Sequence, residues 1–216
     1  MQEIKNIIFD FGGVLVNLDK HRCIEAFDKI GAHEIVRYVD ECRQEDLFHD
    51  LEVGNTGVEE FCNEVRRICT GCNADDADIC EAWNALLTGI PRQRLDKLAS
   101  LRGRYRMVLL SNTNPIHWQK ALDGMFRNDG MDVDDYFEKT YLSYRMHMLK
   151  PDPQIFGKVL MDSGMAAYEI QFNYRYGIIA YVNGVEIYRD HMAAGAVTPS
   201  SSSSGGSTVC EIITVK

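Results

Sequence analysis

The chain of 216 residues lacks three features, each of which would indicate a different class of protein. It has no run of 18 consecutive apolar residues, so no segment is long enough to span a membrane. Basic residues are not in excess: 23 Lys and Arg stand against 32 Asp and Glu, and the net charge of −9 would repel the phosphates of nucleic acid. The first residues, MQEIKN, lack the basic and then apolar pattern of a secretory signal. We therefore expect a cytoplasmic protein with neither a membrane nor a nucleic-acid partner.

Cysteine is present, but not in the arrangement that a structural zinc site requires. Cys69 and Cys72 form a single C-x-x-C pair, with Cys62 and Cys80 nearby, and neither a second such pair nor added histidines accompany them. Seven cysteines are an odd number, which together with the absent secretory signal predicts reduced thiols. A metal or redox site and a set of buried thiols remain as two interpretations.

Residues 4–17, IKNIIFDFGGVLVN, are the most informative stretch. The apolar run before Asp10 is short and is followed at once by Gly12 and Gly13, which predicts a fully buried strand that ends at the carboxylate. Ligands of an open parallel sheet bind beyond the carboxyl ends of its strands. We expect Asp10 at the edge of a site, facing a loop whose backbone N–H groups a ligand can approach. The alternative is a first strand that ends in Asp and a glycine turn without any function.

Two more apolar runs end in polar residues. Residues 105–110 precede Ser111 and Asn112, and a candidate strand at 137–142 ends near Ser143. A short hydroxyl donor held at a strand end suits the stabilisation of developing negative charge. Ser111 could instead be the N-cap of the next helix. Downstream, His117 is interpreted as a packing histidine or an acid–base group, and Lys150 alone would be an ordinary surface lysine.

Apolar residues between 18 and 100 recur at helical spacing, which predicts a bundle of helices. Gly31 is expected to end the first helix. Thr56 and Glu59 have the spacing of a capping box, so we expect Thr56 to cap a helix that carries Phe61. Pro91 and Pro153 are placed to begin further helices.

Three of these stretches together resemble the haloacid dehalogenase superfamily. FDFGGVLVNLD is similar to its motif I, LLSNTN to motif II and LKPDPQIF to motif III, within a subset of sugar-phosphate phosphatases and the phosphatase domain of certain epoxide hydrolases. The resemblance covers residues 3–168 and extends to EVGNTGVEEF and AWNALLTGIPRQRLDKL. It implies an α/β fold, a doubly wound, Rossmann-like parallel sheet with an inserted helical cap. The implied core is 1–17 and 101–175, and the implied cap is 18–100.

The resemblance also implies a chemistry. Asp10 would be the nucleophile, Ser111 and Lys150 would balance the charge of a phosphoryl group, and Asp10 with the backbone carbonyl of Gly12 would bind Mg²⁺. Gly12, Gly13 and Asn112 would contact the substrate, a small phosphorylated metabolite, including sugar phosphates. The oligomeric state is not indicated.

The C-terminal part departs from the family. Motif IV would supply paired acids, at least one of them a Mg²⁺ ligand, but no acid occurs from Ile170 until Glu186, and the neutral Asn173 stands near the expected place. Glu169, Glu186 and Asp190 are the carboxylates that could substitute. Residues 176–216 do not resemble the family: Asn183-Gly184 predicts an atypical β-hairpin in this tail, residues 200–206 a flexible Ser/Gly tract, and 209–215 one more strand.

Three functions follow. The first is a Mg²⁺-dependent phosphatase that forms an aspartyl-phosphate. The second is a catalytically inactive member of the superfamily that binds ligands or partners, favoured by the missing motif IV. The third is a metal-free hydrolase similar to the dehalogenases, against which the glycines at 12 and 13 argue.

Overall fold

This structure, a computed structural model, describes residues 5–41, 47–165, 168–174, 178–182, 185–190 and 209–215. In chain order its strands and α-helices are β1 (Asn6–Phe9), β2 (Asn17–Leu18), α1 (Lys20–Lys29), α2 (Val36–Glu41), α3 (Leu47–Val53), α4 (Val58–Ile68), α5 (Asp76–Asn84), β3 (Leu87–Gly89), α6 (Arg92–Leu101), β4 (Arg106–Ser111), α7 (Pro115–Lys120), α8 (Val133–Tyr136), β5 (Lys139–Leu142), α9 (Ser143–Met146), α10 (Pro153–Ser163), β6 (Tyr168–Tyr174), β7 (Ile178–Val182), β8 (Val185–Asp190) and β9 (Val209–Val215). A 3₁₀ turn, His33–Ile35, precedes α2, and a π-helical segment, Ala121–Met125, follows α7.

The central sheet has five strands in the order β5–β4–β1–β6–β9. Its first four strands are parallel neighbours, and β9 joins the edge antiparallel to β6. Parallel strands need crossover connections, which α10 supplies between β5 and β6. The predicted fold class, a parallel α/β sheet with an inserted helical unit, is confirmed.

Both faces of the sheet are covered, as the alternation along β4 shows. Met107 and Leu109 pack into an apolar cluster with Leu95 and Leu98 of α6. Val108 and Leu110 belong to a second cluster on the other face of the sheet. The helix α10 covers this face through Ile155 and Val159. Side chains of a strand point alternately to the two faces, so the four central residues of β4, Met107 to Leu110, are all apolar and buried.

The first strand differs from its prediction in burial. All four residues of β1 are partly exposed, whereas a fully buried strand was expected. Phe9 packs at the edge of the larger cluster and Ile8 at the edge of the smaller one. The smaller cluster is covered mainly by α10, which leaves part of β1 exposed.

The cap is the helical unit between β2 and β3, whose two strands pair antiparallel and form a stem. Its helices enclose a separate core around Phe27, Phe61 and Ile79. The sequence did not predict α3. Because Leu95 and Leu98 of α6 pack against the sheet, we place the end of the cap near Gly89, before the predicted boundary at residue 100.

The predicted N-cap of the helix that carries Phe61 is wrong by one residue. Gly57, not Thr56, is the N-cap of α4, and Glu60 rather than Glu59 bonds back to the N–H of the N-cap residue. The Glu60 carboxylate accepts hydrogen bonds from the Gly57 N–H at 3.1 Å and from Thr56 Oγ1 at 3.0 Å. Two acceptor bonds hold the pKa of Glu60 below its usual value.

Beyond α10, the described backbone consists of strands. β6 lies beside β1, with Ile8 paired to Ile170, so a fourth parallel strand is present where the family resemblance ends. β7 and β8 form a separate antiparallel pair. The predicted Asn183-Gly184 turn and the Ser/Gly tract at 200–206 lie outside the described residues. No helix in the described ranges has the length and apolar character needed to cross a membrane.

Candidate active site

Asp10 lies directly after β1, at the carboxyl end of the central sheet. Its Oδ1 atom accepts a hydrogen bond of 2.7 Å from the Phe11 N–H, and the side chain is 39% exposed. The turn beyond it is closed by Gly13, whose N–H donates to the Val16 carbonyl at 2.9 Å. Gly13 has a φ of +76°, a left-handed conformation that glycine adopts without the steric cost of a Cβ. The carboxylate is therefore both fixed at the strand end and open to solvent.

Lys150 reaches this carboxylate from the segment between α9 and α10. Its Nζ atom lies 2.7 Å from Asp10 Oδ1 and donates a second bond of 3.0 Å to the Leu110 carbonyl at the end of β4. Asp10 and Lys150, both predicted as site residues, are thus within hydrogen-bonding distance of each other, although 140 residues separate them in sequence.

Asn112 holds the main chain of Lys150 from both directions. Its Oδ1 atom accepts from the Lys150 N–H at 2.8 Å, and its Nδ2 donates to the Lys150 carbonyl at 2.9 Å. Both polar atoms of the Asn112 side chain therefore position the main chain of Lys150. The predicted contact of Asn112 with a substrate stays a prediction.

Ser111 is the last residue of β4 and is fully buried. Because Phe9 pairs with Leu109 in the parallel register, Asp10 and Ser111 both lie just past that pair, at the same end of the sheet. Ser111 Oγ donates to the Asn112 carbonyl at 3.2 Å. The alternative role of Ser111 as a helix N-cap is wrong, since Asn114 caps α7.

Ser143 lies in this site region, although the sequence analysis named it only as the end of a candidate strand and gave it no role. It is fully buried after β5, and its Oγ accepts from the Thr113 N–H at 2.9 Å. The same oxygen lies 2.8 Å from the Thr113 carbonyl and 2.7 Å from the Glu52 carbonyl of the cap. The single hydroxyl proton can donate to either carbonyl, and the donation to Glu52 ties the loop after Ser111 to the cap. The signal that identified Ser111, a small hydroxyl at a strand end, applies equally to Ser143.

His117 packs between the core and the cap. Its Nε2 atom lies 3.1 Å from the Trp83 carbonyl, its Nδ1 lies 3.2 Å from Asn114 Nδ2, and its ring stacks on the Trp83 indole with centroids 4.4 Å apart. Desolvation of the buried ring lowers its pKa from 6.5 to about 4, although the bond to Trp83 opposes this. These contacts favour the packing interpretation of His117 over the acid–base one.

The donors for a metal ion can be tested against the chemistry of Mg²⁺. Within the described ranges, no group of three or more His, Cys, Asp or Glu side chains is arranged to hold a metal. Mg²⁺ is commonly bound through one or two carboxylates together with waters and substrate phosphates. The partly exposed Asp10 fits that requirement, with the Gly12 carbonyl as its predicted partner. The side chains of Glu169, Asn173, Glu186 and Asp190 lie outside the described part of the structure.

The chain was compared with protein families, with characterised proteins and with solved structures. The haloacid dehalogenase-like hydrolases match residues 4–170, so the match ends inside β6. A D-ribitol-5-phosphate phosphatase of Bacteroides thetaiotaomicron is 35% identical over 169 residues, which are 78% of this chain and 82% of that protein. The predicted extent of the family resemblance, residues 3–168, is confirmed.

Two solved structures illustrate the likeness of fold. A haloacid dehalogenase family enzyme of Bacteroides thetaiotaomicron, in complex with magnesium and inorganic phosphate, has a TM-score of 0.70 and 44% identity. The match covers 75% of this chain and 80% of that one. A HAD-like family hydrolase of Porphyromonas gingivalis has a TM-score of 0.68 and 38% identity, covering 75% of this chain and 77% of that one.

Proposed function

Because this chain belongs to the haloacid dehalogenase-like hydrolases, we propose that it is a Mg²⁺-dependent phosphatase of small phosphorylated metabolites with Asp10 as its nucleophile. The observation that carries the proposal is the ion pair between Asp10 and Lys150 at the carboxyl end of the sheet, 2.7 Å long. The D-ribitol-5-phosphate phosphatase among its relatives makes phosphorylated polyols and sugars the first substrates to test.

The proposed reaction has two steps on Asp10. A carboxylate oxygen attacks the phosphorus of the ester, the bond to the alcohol oxygen breaks, and the alcohol leaves with a proton from solvent. Water then hydrolyses the aspartyl-phosphate, which releases phosphate and restores Asp10. Gly12 stands two residues after the nucleophile and has no acid–base side chain, so solvent supplies the protons.

Charge stabilisation falls to Lys150 and Ser111. The Lys150 ammonium is already fixed beside the nucleophile by its bonds to Asp10 and the Leu110 carbonyl, so it needs no reorganisation when a phosphoryl group arrives. Ser111 would turn its hydroxyl from the Asn112 carbonyl to a phosphoryl oxygen. Gly12 and Gly13 would bring backbone N–H groups close to the phosphate.

Mg²⁺ would be held by the Asp10 carboxylate and the Gly12 carbonyl. When bound, it supplies positive charge that neutralises the phosphate and so lets an anionic nucleophile approach. The magnesium and phosphate found together in the relative from Bacteroides thetaiotaomicron support this cofactor.

An inactive binding protein is the second candidate, and one observation favours it. The family match ends at residue 170, and the described residues offer no clustered second and third acidic ligand for the metal. Such a protein would bind phosphorylated ligands through Lys150 and the glycine loop without turnover. The metal-free dehalogenase alternative would be supported by halide release in the absence of Mg²⁺.

The deciding experiment measures phosphate release from D-ribitol 5-phosphate and from p-nitrophenyl phosphate over a range of Mg²⁺ concentrations. We expect activity that requires Mg²⁺, is removed by EDTA and falls by several orders of magnitude in Asp10→Asn. Asp134→Asn, which alters an exposed carboxylate on α8, is the matched control and should keep full activity. Phosphate binding without turnover by the folded wild-type protein would support the second candidate instead.

A further inference from the structure

Two thiols of the cap face each other across neighbouring helices. Cys62 of α4 and Cys80 of α5 have their Sγ atoms 3.9 Å apart. Both helices contribute to the same apolar cluster, so their relative positions are fixed by packing. The pair differs from the C-x-x-C pair of the sequence, in which Cys69 and Cys72 are both buried.

The two facing thiols lie in different surroundings. Cys62 is fully buried, and its Sγ also lies 3.9 Å from the Asp76 carbonyl. Cys80 is partly exposed, so a small oxidant can reach it. The hydrogen bond from the Cys62 thiol lowers the pKa of Cys80 and raises that of Cys62. Cys80 is therefore the thiol that ionises first, and the thiolate is the reactive form.

Three further cysteines, whose burial the structure describes, are protected. Burial raises the pKa of Cys23 to about 12, and Cys69 has a pKa raised to about 11 by burial and by the nearby Glu34. Cys72 is also buried. Low exposure and a scarce thiolate both slow reaction with an oxidant.

We propose that Cys62 and Cys80 are an oxidation site at which a hydroperoxide forms a disulfide that links α4 to α5 within the cap. The Sγ atoms must approach to about 2.05 Å, a movement of roughly 2 Å, which rotation of the two side chains can supply between helices that already pack together.

The step balances with hydrogen peroxide as the oxidant. The Cys80 thiolate attacks one peroxide oxygen, the O–O bond breaks, and hydroxide leaves and takes a proton to become water. The product at Cys80 is a sulfenic acid. The Cys62 sulfur then attacks the Cys80 sulfur, the S–O bond breaks, and a second water leaves. Two thiols are oxidised to one disulfide and one peroxide is reduced to two waters.

The test treats the folded full-length protein with an equimolar amount of hydrogen peroxide, alkylates the remaining thiols and digests with trypsin. Trypsin places Cys62 on the peptide 44–66, while Cys69, Cys72 and Cys80 share the peptide 68–92. We expect these two peptides joined, with the mass of two hydrogen atoms lost, and separated again by dithiothreitol. A bond between Cys69 and Cys72 would stay within one peptide and would overturn the proposal.

Variants assign the linked residue. The joined peptides should vanish in Cys80→Ser and persist in Cys69→Ser and in Cys72→Ser. Persistence in Cys80→Ser, or conversion of wild-type Cys80 to sulfinic acid without any link to 44–66, would contradict the proposed pairing. Cys80 is partly exposed, so its serine variant avoids placing a new hydroxyl in the core, and a circular dichroism spectrum checks its fold.

Discussion

At the scale of single residues, Asn112 and Lys150 form a unit that connects two distant segments. The side-chain amide of Asn112 replaces the partners that the Lys150 main chain would find in a strand or helix. Backbone polar groups that are not exposed need such partners. The ammonium of Lys150 therefore reaches Asp10 from a fixed point, and not from a flexible loop.

Replacing Asn112 should weaken this attachment. We expect Asn112→Ala to lower kcat about tenfold, because two hydrogen bonds, each worth roughly 0.5–1.5 kcal/mol, no longer hold Lys150 beside the nucleophile. KM should change less, provided that the predicted substrate contact of Asn112 is minor. Steady-state kinetics on the best substrate measures both constants. Asn112→Asp, which keeps the acceptor for the Lys150 N–H, should lose less, and an unchanged kcat in Asn112→Ala would contradict the role.

His117 should make the stability of the protein depend on pH. Its pKa is about 4 when folded and about 6.5 when unfolded, so the unfolded chain binds more protons between these values. The stabilisation is fully present above pH 6.5 and is lost as the pH falls toward 4. The loss approaches roughly 3 kcal/mol from this group at the acid end. Urea unfolding measured from pH 7 to pH 4 follows it.

The matched control for this prediction is His117→Gln, which keeps a polar side chain but does not titrate. The unfolding free energy of this variant should fall less steeply as the pH is lowered. The difference in slope from the wild type should be at most the slope that one bound proton contributes. Equal slopes in the wild type and His117→Gln would show that the imidazole is not the group responsible.

At the scale of elements, the contact between the cap and the core is made by backbone as well as side chains. Gly54 follows α3 with a φ of +81°, and a Cβ built on it would lie 2.2 Å from the Tyr144 carbonyl oxygen. Ser143, the neighbour of Tyr144, donates a hydrogen bond to the Glu52 carbonyl at the same junction. The close approach explains why a glycine follows α3 at this position.

Gly54→Ala should therefore destabilise the protein strongly. The left-handed backbone costs an L-residue about 1–2 kcal/mol, and forcing a methyl group against a carbonyl adds roughly 1–3 kcal/mol. Gly103→Ala is the matched control, because Gly103 has a φ of +71° with open space around it and loses only the first contribution. Chemical denaturation compares the two variants. Equal losses of unfolding free energy in the two variants would show that the backbone near Tyr144 moves aside for the new methyl group without an energetic penalty.

The elements that the sequence predicted well carry local signals. β4 is an apolar run, and α6 and α10 begin at prolines, so each was identified without knowledge of its neighbours. α3 was missed because its position depends on Tyr144 and Ser143, far along the chain. The thiol pairs show the same limit: the C-x-x-C spacing drew attention to Cys69 and Cys72, while packing brings Cys62 to Cys80.

The residues of the site also divide into those with a local sequence signal and those that depend on distant segments. Asp10, Ser111 and Lys150 were predicted as site residues because each lies at the end of a motif of the family resemblance, and their roles stay predictions. The hydrogen bonds of Asn112 to Lys150 and of Ser143 to Thr113 depend on backbone groups of other segments. Sequence spacing contains no information about which carbonyl or N–H a side chain meets.

At the scale of the whole molecule, the sheet places a neutral residue where a metal ligand would be useful. The pairing of Ile8 with Ile170, counted forward along parallel strands, brings Asp10 level with Phe172, and Asn173 follows. An amide is a weaker ligand for a hard cation than a carboxylate. By this count, residue 173 is the position at which the predicted motif IV acid can be tested.

Asn173→Asp should strengthen Mg²⁺ binding. We expect the Mg²⁺ concentration for half-maximal activity to fall several-fold, together with a larger rise in melting temperature on adding Mg²⁺, because a second carboxylate joins Asp10. Gln171→Asp, two residues earlier on β6, is the control and should not reproduce the effect. Identical Mg²⁺ dependence in Asn173→Asp and the wild type would show that residue 173 does not face the cation.

The stem beneath the cap has a consequence for how this protein can change. Asn17 pairs with Gly89, and the Asp19 N–H donates to the Leu86 carbonyl at 2.8 Å, so the chain leaves the core and returns to it at adjacent points. A segment whose two ends meet can be exchanged without moving the ends of β1 and β4, where Asp10 and Ser111 lie. A graft between Leu18 and Leu87 would therefore replace the helices of the cap and leave those strand ends in place.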